Sequence, residues 1–119
     1  MRDFRQLKVW ERAHLLAVDV YRVTEQFPKA EQFGLTSQLR RAAVSVPTNI
    51  AEGCGRGTRT ELARYLQIAM GSASELDYLL LFAEGVGYIA PKDSAPLTSE
   101  VTEVRKMLTA YANRLKAHS

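Results

Sequence analysis

Four apolar stripes at helical spacing constrain this chain more than anything else in it. Val9, Ala13, Leu16, Val20, Val23 and Phe27 alternate steps of four and three, which puts all six on one side of an α-helix. Leu35, Leu39, Ala42, Val46 and Ile50 repeat the pattern. So do Leu62, Leu66, Ala69, Ala73, Leu76, Leu80 and Ala83, and then Leu97, Val101, Val104, Leu108, Tyr111 and Leu115. No segment sustains the period of two that a half-buried strand needs. The expected fold is all-α: an antiparallel up-down four-helix bundle with helices over about residues 8–26, 34–54, 59–86 and 95–116, since short connections favour antiparallel neighbours. A length of 119 residues suits one domain over 1–119.

Local signals mark the helix ends. Phe27-Pro28 stops the first helix. Thr58-Arg59-Thr60-Glu61 has the form of a capping box, so the third begins near residue 59 and runs to Gly85 or Gly87. Pro91 and Pro96 bracket the link to the fourth, with Asp93 or Ser94 as its N-cap. Pro47 is the anomaly, because a proline inside a helix lacks the amide for the carbonyl four residues back and costs ~3 kcal/mol uncompensated. The apolar spacing keeps helical phase from Leu35 to Ile50, so the second helix is expected to continue through Pro47 with a kink. Carbonyls freed near Arg41 to Ala43 need donors, for which Asn49 and nearby arginines are candidates.

Composition excludes several classes of protein. Apolar residues make up 46% of the chain and charged residues 24%, a globular balance. The N-terminal stretch MRDFRQLKVWERA is charged, unlike a signal peptide, and the longest apolar run, Leu79 to Ala83, is far below the roughly 20 residues of a membrane span. A soluble protein is expected. The lone Cys54 has no disulfide partner and fits a reducing, cytoplasmic setting. His14 and His118 are the only histidines, and no pattern supplies a metal shell, a nucleophile–base pair or a cofactor site. No enzymatic activity, metal or cofactor is expected, and Tyr65, Tyr78 and Tyr111 read as packing aromatics.

The charge is unevenly placed. The net charge is +3, and residues 34–64 hold Arg40, Arg41, Arg56, Arg59 and Arg64 against Glu52 and Glu61. Residues 65–90 hold Glu75, Asp77 and Glu84 with no Lys or Arg. The five arginines are candidates for contact with nucleic acid or another anionic partner. Equally, Arg40 and Arg41 can pair with Glu52 or with acids of another subunit. Gly53-Cys54-Gly55-Arg56-Gly57 before a helix start could offer amides to a phosphate, but it lacks the Lys-Ser/Thr ending of a nucleotide loop and reads better as a helix stop. Helix three carries more apolar surface than one core uses: Tyr65, Ile68, Leu79, Phe82 and Val86 form a second track, and helix one adds Trp10, Ala17 and Tyr21. Burial of Trp10, Tyr21, Tyr65, Ile68, Leu79 and Phe82 against further copies of the chain is expected.

Three stretches carry a resemblance: DFRQLKVW at 3–10, FGLTSQLRRAAVSVPTNIAEGCGR at 33–56 and ELARYLQIAMGSASEL at 61–76. They resemble the rRNA intervening-sequence family, small bacterial four-helix-bundle proteins. The resemblance covers helices one to three and implies a bundle assembled as a ring-shaped homopentamer, with no known catalytic activity. A distantly similar bundle is the accessory protein of diversity-generating retroelements, a basic ring that associates with a reverse transcriptase and nucleic acid. By analogy of fold, the expected role is an oligomeric basic ring that binds RNA, DNA or a nucleic-acid enzyme. The alternative is an adaptor that docks a protein partner without nucleic acid.

Overall fold

The apolar stripes bury as their spacing requires. In the computed structural model, which describes residues 2–117, four α-helices gather their stripes into one core: α1 (Lys8–Thr24), α2 (Leu35–Gly55), α3 (Arg59–Gly85) and α4 (Pro91–Ala117). Every stripe residue is buried except Val23, which packs half-buried against the same core. No strand occurs among the described residues. Short 3-10 turns at Phe4–Gln6 and Lys29–Glu31 precede α1 and α2. The two longest helices, at about 1.5 Å per residue, match the molecule's long dimension of 46 Å against 22 and 20 Å across.

Each helix packs on the next, and α1 closes against α4. Side-chain pairs record how they lie. Ser45 and Ser72 share a 2.8 Å hydrogen bond between α2 and α3, and farther along α2 Gly53 lies against Leu62 and Tyr65. Asp77 faces Arg105 at 3.7 Å, while Met70 meets the Thr109 hydroxyl at 3.2 Å, tying α3 to α4. The Arg12 guanidinium grips both carboxylate oxygens of Glu100, at 2.8 and 2.6 Å, across α1 and α4.

Helix ends follow their local chemistry, with one correction. The Thr58 hydroxyl accepts from the Glu61 amide at 3.1 Å, the cap expected of the sequence. At the far end of α3, Tyr88 N–H donates to the Ala83 carbonyl and Gly87 N–H to that of Glu84. This is a Schellman closure around Gly87, whose φ of 82° favours glycine. Helix α4 starts at Pro91, four residues before the expected 95, and neither Asp93 nor Ser94 is its N-cap. Proline suits a first helical position, which has no intrahelical use for an amide. The Ala90 carbonyl takes the Asp93 and Ser94 amides, and Ser94 turns inward to give its hydroxyl to Glu84.

Helix α2 runs unbroken through Pro47, so continuity of phase was a sound guide. The expected donors for the carbonyls before it are not where the sequence suggested. Asn49 Nδ2 donates instead to the Ser45 carbonyl and hydroxyl, at 2.8 and 3.0 Å. Arg40 points away to α1, as described next.

Candidate nucleic-acid interface

The α2–α3 junction, with Arg56, Arg59 and Arg64, sits at one end of the molecule. The chain termini arrive at the same end. Arg2 N–H donates to the Cys54 carbonyl at 3.2 Å, anchoring the N-terminal segment over the end of α2, and the last turn of α4 brings Arg114 and Lys116. Three adjoining depressions result. The first, about 120 Å³, is lined by Arg2, Thr58 and Arg59 over Cys54. The second is bordered by Arg59, Arg64 and Lys116, and the third by Arg2, Lys8 and Arg114. No carboxylate among the described residues lines any of them. At about 120, 280 and 270 Å³ they fall below the roughly 300–1,000 Å³ of a small-molecule pocket, so this end offers a charged surface in place of an enclosed site.

The cations here are held by neighbours. Arg64 bonds both oxygens of Glu61, at 2.9 and 3.3 Å, and lies 4.6 Å over the Tyr65 ring. That pairing holds the Glu61 carboxyl below the usual range and pushes the Arg64 guanidinium further up. Arg56 donates to the Tyr65 hydroxyl at 2.7 Å and approaches Glu52 at 3.4 Å. These pairs are exposed, so a phosphate can compete for the same donors at little cost. Burial pushes the Cys54 thiol up, which keeps it protonated and unreactive. Burial also raises Tyr111, whose enclosed hydroxyl has no hydrogen-bond partner among the described residues.

Arg40 and Arg41 do not belong to this cluster. They lie nearly the length of α2 away, and they differ from each other. Arg40 is half-buried: its Nε donates to the Thr24 hydroxyl at 2.8 Å, its other end donates to the Tyr21 carbonyl at 3.1 Å, and it stacks 4.4 Å over the Tyr21 ring. It closes the C-terminal end of α1, and it pairs with no acid among the described residues. Arg41 is exposed on the outer face of α2. Arg2, Lys8, Arg114 and Lys116 were not among the expected residues; Arg114 and Lys116 were signalled only as basic residues in the last turn of a helix, and Arg2 and Lys8 by nothing local.

The expected interface residues divide. Ile68, Phe82 and Tyr21 are exposed, together with Val86, while Trp10 and Tyr65 are half-buried. Trp10 sits between Phe4 and a parallel-stacked His14, with centroids 4.9 and 5.0 Å away. Leu79 is a correction: at 8% exposure it is packed into the core of the single chain instead of standing free for another copy. Ala17 is buried too. Further apolar exposure lies where the stripes did not point, at Leu15, Phe33, Val44, Tyr78 and Leu81.

No group of His, Cys, Asp and Glu among the described residues is arranged to hold a metal, and His118 lies outside those residues. No described helix is long and apolar enough to cross a membrane. Residues 5–110 match the model of the 23S rRNA-intervening sequence proteins. The chain belongs to that family. A solved structure of a protein of unknown function from the S23 ribosomal protein family of Bacteroides thetaiotaomicron VPI-5482 shares the fold. Its TM-score is 0.78 at 23% identity, over 87% of this chain and 97% of that one. No curated protein matches the sequence.

Proposed function

We propose that this member of the 23S rRNA-intervening sequence family is a non-enzymatic nucleic-acid-binding protein. In this reading it is an antiparallel up-down bundle, bent at Pro47, whose copies form a homopentameric ring in the cytoplasm and display their basic ends together. One observation carries it: cations from the N-terminus, α1, α3 and the end of α4 converge on surfaces that no carboxylate of the described residues lines. Antiparallel packing is supported by side-chain pairs whose numbers rise on one helix as they fall on its neighbour. Self-association is supported by exposed Ile68 and Phe82 on α3 and Val86 just past its end; the number five rests on the family resemblance. The family's description makes RNA the first probe.

Fluorescence anisotropy with labelled single-stranded RNA, duplex RNA and duplex DNA tests this, comparing wild type with Arg59→Glu/Arg64→Glu. Binding at low salt should weaken as salt rises, with log K falling by ~0.7 to 0.9 per log unit of salt for each phosphate neutralised, and the double variant should bind at least about tenfold more weakly. Wild type that leaves all three probes free at low salt would sink the proposal. The adaptor reading draws on the same exposed α3 residues, and a protein recovered from the native host regardless of nuclease treatment would favour it.

A further inference from the structure

A second surface, at the opposite end of α2, carries chemistry that the basic end lacks. Where α1 returns into α2, an open groove of about 640 Å³ is lined by Tyr21, Phe33, Thr36, Arg40, Arg41 and Thr48. Phe33 is 91% exposed, the most exposed large apolar side chain among the described residues. Gly34 follows it and α2 starts at Leu35, so the ring stands one residue before the first turn of the helix. Glu31 strengthens that start by accepting the Leu35 amide at 3.0 Å.

The polar lining is equally telling. No carboxylate among the described residues lines the groove. Arg40 is committed to α1, while Arg41 points outward from the next position. The Thr36 hydroxyl is enclosed in a residue only 6% exposed and the Thr48 hydroxyl donates to the Val44 carbonyl at 2.7 Å, so the Arg41 guanidinium is the polar group this groove turns outward. An exposed ring beside an outward guanidinium complements a flat aromatic base joined to a phosphate. Duplexes keep their bases stacked inside and cannot use such a ring, whereas single strands can.

We propose that this groove is a single-stranded nucleic-acid site, in which a base stacks on Phe33 and the adjoining phosphate meets Arg41. It rests on the nucleic-acid reading above and narrows it, since the basic end attracts any strand and the groove selects unpaired ones. The groove also lies far along the molecule from the α2–α3 junction. A strand touching both must therefore be longer than one touching either.

The test uses the full chain with single-stranded RNA carrying 2-aminopurine, and fluorescein-labelled single-stranded and duplex RNA of the same length. Phe33→Ala should weaken single-strand binding by roughly 5- to 100-fold, the usual effect of removing a stacking ring. Duplex binding and the melting temperature should stay unchanged. The 2-aminopurine fluorescence should be quenched on wild type, unquenched on Phe33→Ala and quenched again on Phe33→Trp. Arg41→Gln should weaken the single-strand complex and lower its salt dependence by about one phosphate. If Phe33→Ala binds single strands as wild type does, the groove assignment is wrong while the basic-end reading stands. If Phe33→Ala splits the oligomer and leaves binding per chain intact, the groove is a contact between copies and the assignment is again wrong. Wild type that binds no nucleic acid removes both.

Discussion

At the scale of single residues, two glycines two apart in chain order show how neighbours decide what a position tolerates. A Cβ on Gly53 would sit 2.8 Å from Tyr65 Cβ and 3.0 Å from Leu62 Cδ1, so the glycine is what lets the end of α2 close on α3. Gly55 has open space where its Cβ would be. Gly53→Ala is expected to destabilise the fold by about 1–3 kcal/mol through overpacking. Gly55→Ala should stabilise it by about 0.4–1 kcal/mol through a less flexible unfolded chain. Urea denaturation of both variants checks this, and equal effects would contradict the close approach. Adjacent arginines make a similar point: Arg40 and Arg41 look alike in sequence, yet one closes the end of α1 and the other faces solvent.

Among the elements, α1 and α4 are joined by one polar clamp across an otherwise apolar contact. Arg12 bonds both oxygens of Glu100 and so lowers the Glu100 carboxyl below its ordinary value. A carboxyl whose folded value is depressed adds stability above its unfolded pKa, about 4.3, and loses it as pH falls through the lower folded value. Because both side chains are about a third exposed or more, the clamp contributes only about 1 kcal/mol. Glu100→Gln should therefore cost about that much at neutral pH, and the gap between variant and wild type should close in strong acid. Denaturation curves at about pH 7 and about pH 2 measure it. A gap that persists unchanged in acid would assign the loss to packing instead.

For the whole molecule, the four stripes make one continuous core, so damage at its centre should be felt everywhere. Leu76 is fully buried midway along α3. Leu76→Ala is expected to cost about 2–5 kcal/mol and to lower the melting temperature while leaving a single transition, as circular dichroism and calorimetry can record. Two separate transitions would mean that the helices form independent units. Charge is distributed on the same scale: the α2–α3 end gathers cations, and residues 65–90, along α3 and the turn after it, carry Glu75, Asp77 and Glu84 with no Lys or Arg. On the proposed reading, an anionic strand would be drawn toward the cationic end of the molecule.

The fold was legible because amphipathic periodicity is a local property. Each helix must hide a stripe, and steps of three and four name its members without any knowledge of the neighbours. The Thr58 cap and the passage of α2 through Pro47 were legible for the same reason, since both depend on residues within a turn or two. The start of α4 was misplaced because proline at a first helical position and proline in a linker look alike until the chain direction is known. The sites were only partly readable, because a charge obeys no period and its meaning depends on what other helices bring beside it. Arg2, Arg114 and Lys116 join Arg59 only once the ends of the chain meet the α2–α3 turn. Arg40 was drawn away by the end of α1, and Leu79 was taken into the core by its side of α3. Local spacing determined which residues fold together; the packing of helix against helix decided which cations share a surface, because Coulomb attraction depends on distance in space and not on separation along the chain.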